Sequence, residues 1–211
     1  MTKTDTFADR AADWDIDPRK IAMAESYVNE VLKHVSVQPH WKALEIGAGT
    51  GLVGMRLLPK VKAMVFEDTS EAMLNQLRQK LTVEELLKVE ILHGETTEYT
   101  LSDIDLVVSN MAFHHIEDIA GLVAHLSAIT RPGAVVAVGD IRTEDGSFHR
   151  FEPIPHKGFD TDELSAMFEK AGFRVKTAHT YRVLPKEITP GNIAEFEQFL
   201  LLAEKINKSC Y

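Results

Sequence analysis

The chain has 211 residues, 45% of them hydrophobic and 26% charged, an ordinary globular balance that sets aside disordered and membrane-embedded classes. Its net charge of −9, without any run of lysine or arginine, argues against nucleic acid as the partner, because phosphate binding needs clustered cations. Apolar runs such as Ala134–Val138 are too short to span a bilayer. Met1 to Asp13 is polar, and the single cysteine, Cys210, can form no internal disulfide, so a cytoplasmic protein is expected.

No internal repeat or long linker divides the chain, and residues 1–211 read as one domain. Asp17-Pro18 is a helix start, with Asp17 as N-cap and Pro18 at the first helical position. Ile21, Ala24, Val28, Val31, Leu32 and Val35 then share one helical face. Ala43–Ile46 is the first predicted strand, followed by a glycine loop and a helix near Leu52–Leu58. Ala63–Phe66 is the second strand, and Ser70 can cap a helix carrying Met73, Leu74 and Leu77. Strands follow at Val89–Leu92 and Ile104–Val108, then a helix from about Asp118 that stops before Arg131-Pro132-Gly133. Val135–Val138 is the fifth strand, and Asp160-Thr161-Asp162-Glu163 opens a helix that Gly172 closes. Phe173–Val183 and Phe196–Ala203 remain for two last strands, although the second also fits a helical period. Short apolar runs alternating with helical patterns imply βαβ units and a mostly parallel sheet.

Glu45-Ile46-Gly47-Ala48-Gly49-Thr50-Gly51 lies between a predicted strand and a predicted helix. Glycines there admit positive φ and let a ligand approach the backbone, while the helix start aims free N–H groups at it. The spacing is Gly-x-Gly-x-Gly, and Leu52 stands where the dinucleotide fingerprint has its third glycine. Glu45 would repel a pyrophosphate at close range by several kcal/mol at an effective dielectric of about 20, whereas it would favour a ligand bearing an ammonium and a sulfonium. Glu67-Asp68 ends the second strand where an acid can accept from a ribose diol. Glu95, after the third strand, is placed to accept from an adenine amino group.

These segments resemble the class I S-adenosylmethionine-dependent methyltransferases, over nearly the whole chain. Leu44–Gly51 is similar to the family's first motif and Glu67–Leu74 to its second. Gly94-Glu95-Thr96 resembles the adenine-contacting turn, and Asp105–His115 the fourth-strand motif. The amino-terminal Phe7-x-x-Arg10 through Asp15 resembles the lid of small-molecule members related to quinone-biosynthesis methylases. The resemblance implies a Rossmann-like α/β fold: a seven-stranded, mostly parallel sheet with one antiparallel strand, helices on both faces, an N-terminal helical lid over 1–35 and a cofactor-binding core over 36–211. It implies that S-adenosylmethionine is bound, and S-adenosylhomocysteine released, by Trp14, Glu45, Gly47, Ala48, Gly49, Gly51, Asp68, Thr69, Glu95, Thr96, Ser109 and Asn110. Glu67 stands where the family has a small or apolar residue, so either acid could hold the ribose; Ser70 favours Asp68.

Methyl transfer from a sulfonium is an in-line displacement that needs mainly proximity and alignment, together worth about 7–11 kcal/mol. A base is required only if the acceptor must lose a proton, and His114, His115, His149 or His156 would supply it. No metal is expected, because no histidine pair has the helical i, i+4 spacing. Phe113, Phe148, Phe151 and Phe159 suit a flat or apolar small-molecule acceptor. Two other readings stay open. One is a nicotinamide-dependent oxidoreductase, weakened by the lack of a Tyr-x-x-x-Lys pair; the other is a non-catalytic protein that binds the methyl donor.

Overall fold

A computed structural model of the chain describes residues 5, 7–150 and 153–207. Phe151 and Cys210, both singled out above, lie outside the described residues. The first helix, α1 (Pro18–His34), starts as its sequence dictates: Asp17 is extended and its carboxylate accepts from the Arg19 amide at 2.9 Å. Ala24, Tyr27, Val28 and Val31 are buried on one face. Five strands follow at Lys42–Ile46 (β1), Ala63–Asp68 (β2), Val89–His93 (β3), Ile104–Asn110 (β4) and Thr130–Ile141 (β5). Between them run α2 (Gly54–Leu57), α3 (Glu71–Lys80), α4 (Val83–Leu86) and α5 (Ile119–Ile129). Next come α6 (Thr161–Lys170) and the long hairpin of β6 (Phe173–Thr189) and β7 (Asn192–Lys205).

All seven strands form one sheet in the order β3-β2-β1-β4-β5-β7-β6. The first five pair in parallel, and β7 runs antiparallel to both neighbours, as expected. Both faces are covered, so the central strands are apolar throughout and their alternation is hidden in the sequence. It survives in the packing. Leu44, Val65 and Val107 join α5 and α6 on one face, while Ala43, Met64 and Phe66 join α1, α2 and α3 on the other. β7 contributes Phe199 and Leu201 to the first face and Leu200 and Leu202 to the second, which is why its run also fits a helical period. Chain order reverses at β1, and the crevice at the carboxyl ends of β1 and β4 is where such sheets bind ligands.

Three differences from the sequence reading have physical causes. The helix assigned to the lid is part of the core: Tyr27 is fully buried, donates to the Ala137 carbonyl at 2.8 Å and accepts from the Ser109 amide at 3.2 Å. Of the described residues before position 35, Asp5, Phe7, Arg10, Trp14, Lys20, Met23 and Ala24 line the crevice. The last two strands are longer than expected, because each supplies the other's hydrogen bonds out to Thr189–Asn192. The short α4, held by a Thr82–Glu85 capping box, was not expected. No helix among the described residues is long and apolar enough to cross a membrane.

Tyr27→Phe removes a buried hydroxyl that bridges β4 and β5 at Ser109 and Ala137. It should lower unfolding free energy by about 0.5–1.5 kcal/mol, read from urea midpoints at constant m-value; no loss at all would contradict this role for the hydroxyl.

Candidate functional site

The turn after β1 carries Gly47, Gly49 and Gly51 at φ +63°, +56° and +82°. A Cβ on Gly47 would lie 2.3 Å from the Ala112 Cβ, so glycine is what lets the chain leaving β4 cross against the loop. A Cβ on Gly51 would lie 2.5 Å from Leu77 Cδ1, so that glycine serves the packing of α3 and does not line the crevice. Gly49 donates its amide to Asp68 Oδ2 at 2.7 Å, which ties the end of β2 to the loop. Ser70 N donates to Asp68 Oδ1 at 2.8 Å, while Ser70 Oγ accepts from Met73 N at the start of α3.

Above these strand ends lies a cavity of about 1190 Å³. That exceeds the roughly 300–1,000 Å³ of ordinary small-molecule pockets, which leaves space for two ligands side by side. Its lining includes Trp14, Glu45, Gly47, Ala48, Gly49, Asp68, Thr69, Glu95, Thr96 and Asn110, all expected above. Ser109 is absent from it: its hydroxyl donates to the Ile46 carbonyl at 3.2 Å and joins β4 to β1. The Thr96 hydroxyl is also engaged, donating to Glu67 Oε2 at 2.6 Å. Met111, Leu52 and Val53 line the cavity without having been expected. Met111 sits at φ +59°, a strained conformation for a side chain of its kind, and its amide donates to the Gly139 carbonyl at 2.7 Å.

Of the carboxyl groups that line this space, burial raises the pKa of three. Glu45 is pushed well above its ordinary range, opposed by the Gly54 amide that it caps at 2.9 Å. Glu67 is raised to about 8 by burial, against the pull of the Thr96 hydroxyl. Asp68 is raised by burial, against the Ser70 and Gly49 amides. Glu45 is therefore not the fixed charge assumed from the sequence; a cation beside it would restore its ionisation.

Phe7, Trp14 and Phe148 are the aromatic carbocyclic and indole members of the cavity's lining. Phe7 meets the Trp14 ring edge-on at 5.8 Å and the His115 ring at 5.4 Å. Asp15 anchors this segment, accepting from Thr50 Oγ1 at 2.5 Å and from Lys80 Nζ at 2.6 Å. Phe159 and Phe113 are core residues; Phe148 alone of the described phenylalanines expected at the acceptor lines the cavity. His114, His115 and His149 line it together. His114 is 1% exposed, and its Nδ1 lies 2.7 Å from Oδ1 of the fully buried Asp140. His156 stands apart, its Nε2 2.9 Å from the Ile116 carbonyl and 3.2 Å from that of Glu117, where it pins the loop before α6 to the loop before α5. Asp140 was missed in the sequence, where its one signal is an acid interrupting the apolar run of β5.

Residues 44–136 match the family model of a methyltransferase domain. An uncharacterized methyltransferase of Schizosaccharomyces pombe is 26% identical over 159 residues, covering 64% of this chain and 56% of that protein, so the chain spans little more than half that relative's length. An uncharacterized methyltransferase of Geobacillus is 27% identical over 165 residues, covering 69% of this chain and 76% of the relative. The fold matches that of a SAM-dependent methyltransferase from Aquifex aeolicus with TM-score 0.68 and 22% identity, over 94% of this chain and 98% of that one. Residues 44–136 thus resemble a methyltransferase domain, and the relatives and the fold together support a class I S-adenosylmethionine-dependent methyltransferase.

S-adenosylmethionine is the cofactor of these methyltransferases, and the residues present fit it. The cavity gathers buried carboxyls that a sulfonium and an ammonium would neutralise. Asn110 Oδ1, also in its lining, is buried without a hydrogen-bond partner among the described residues, and a ligand ammonium would satisfy it.

Proposed function

We propose that this methyltransferase transfers the methyl group of S-adenosylmethionine to a small molecule held between the glycine loop and the histidines. The observation that carries the reading is one cavity whose lining combines two chemically distinct sets of residues. Glu45, Asp68 and Asn110 supply carboxyl and amide oxygens, and His114, His115, His149 and Phe148 supply aromatic rings and imidazole nitrogens. Gly47, Ala48 and Gly49 would hold the amino-acid part of the cofactor, Asp68 the ribose hydroxyls, and Thr69, Glu95 and Thr96 the adenine. Trp14 would cover it from the lid. The cofactor supplies an electrophilic methyl group with a neutral leaving group; the chain's own residues bind, align and exclude water. Phe7, Trp14 and Phe148 add aromatic rings to the lining, which supports a small acceptor over a folded protein. His114, His115 and His149 would assist the loss of an acceptor proton, and His156, whose amide donates to the His114 carbonyl, would hold their loop.

Titration calorimetry of the full chain should show one saturable site for S-adenosylmethionine and for S-adenosylhomocysteine, and none of comparable affinity for NADH. Incubation with methyl-labelled cofactor and a metabolite extract should then give a product heavier by one methyl in mass spectrometry. Absence of heat and of thermal protection by either nucleoside would overturn the cofactor reading. Binding without any methylated product would overturn the catalytic one.

A further inference from the structure

We infer that His114, His115 and His149 form a binding site for one divalent transition-metal ion of the zinc type, in the lining of the cavity. One ring nitrogen from each residue lies within 4.8 Å of the other two. His114 and His115 come from the single 3-10 turn Phe113–His115 after β4, and His149 comes from the loop after β5. No spacing in the chain announces the set, because the ligands meet only when β4 pairs with β5 and Asn110 aligns with Gly139.

The case beyond proximity rests on His114. Asp140 Oδ1 lies 2.7 Å from its Nδ1, and Asp140 is itself fixed by the amides of Ile141 at 2.7 Å and His114 at 3.2 Å. A buried carboxylate on Nδ1 keeps the proton there and leaves the Nε2 lone pair outward, the outer-shell arrangement that orients metal-bound imidazoles. That Nε2 is buried and makes no hydrogen bond among the described residues. An orphaned buried nitrogen is costly, and an ion accounts for it.

Three neutral nitrogens select zinc, cobalt, nickel or copper over magnesium or calcium, which prefer oxygen. Metal–nitrogen bonds of about 2.0–2.1 Å in a tetrahedron place nitrogens about 3.4 Å apart. His115 and His149 are half-buried and can close that difference by turning their rings. The fourth position then opens on the cavity, where a bound hydroxyl or thiol would lose its proton more readily. The other cluster of this kind, Glu30, His34 and His179, is already satisfied: both rings engage Glu30 Oε1, at 3.2 and 3.1 Å, and Lys33 Nζ holds Oε2 at 2.6 Å.

Tag-free full-length protein, stripped with chelator and titrated with Zn²⁺ and separately with Co²⁺, tests the site. We expect one ion per chain and a tetrahedral Co²⁺ absorption spectrum. His149→Ala should weaken Zn²⁺ by more than the roughly 10–100-fold that loss of an outer-shell partner costs, and Asp140→Asn by an amount within that range. His179→Ala should leave Zn²⁺ affinity unchanged. No saturable ion in the wild type, or Zn²⁺ binding that survives His149→Ala and is lost in His179→Ala, would overturn the inference. Calorimetry with S-adenosylhomocysteine on the same samples separates this failure from failure of the cofactor reading, since that ligand's site is built from other residues.

Discussion

Asp68→Ala is expected to weaken S-adenosylmethionine binding by about 100-fold or more. In the folded chain each carboxylate oxygen accepts one amide, Gly49 at 2.7 Å on Oδ2 and Ser70 at 2.8 Å on Oδ1. Each oxygen keeps a second lone pair, and two lone pairs match the two hydroxyls of a ribose. Charge-assisted hydrogen bonds contribute about 1.5–3 kcal/mol apiece, so losing both removes at least two orders of magnitude. The substitution also releases Gly49 and with it the shape of the loop. Calorimetry on Asp68→Ala and Glu67→Ala decides which acid holds the nucleoside. Wild-type affinity in the first and a large loss in the second would transfer the role to Glu67.

Glu67→Gln should change how stability depends on pH, by up to about 5 kcal/mol across the range. Burial raises the Glu67 carboxyl from 4.5 to about 8. Below pH 4.5 both folded and unfolded chains hold the proton, and the group contributes nothing. From pH 4.5 to 8 the unfolded chain ionises while the folded chain keeps its proton, so folding loses about 1.4 kcal/mol per pH unit. Above pH 8 the whole cost is present. Glutamine has no proton to lose and its carbonyl can still accept from the Thr96 hydroxyl. The difference between wild type and Glu67→Gln, from guanidinium unfolding at pH 5, 6, 7 and 8, should therefore shift in favour of the variant as pH rises. A flat difference would mean that Glu67 is ionised in the folded chain throughout.

The pattern of strands, helices and caps was legible because its causes are local. Asp17, Ser70 and Asp118 each cap the helix that their position announces. The sheet's order and the identity of β7 were less so, since a strand buried on both faces shows no alternation. Register with β5 and β6 decided it. At the site, motifs indicated which residues would gather but not which atoms would be spare. Gly51 is used up against Leu77, Ser109 against the Ile46 carbonyl, and the Thr96 hydroxyl against Glu67.

The amino-acid sequence by itself determined the parallel α/β sheet, the glycine loop and the acids at the end of β2, because each is written within one strand–loop–helix unit. Only the tertiary structure decided the ionisation of Glu45 and Glu67 and the meeting of His114 with Asp140 and His149. Burial sets the first, and burial is a property of the packed chain. Strand pairing sets the second, bringing side chains 26 and 35 positions apart to the carboxyl ends of two central strands, a distance over which no local pattern in the sequence extends.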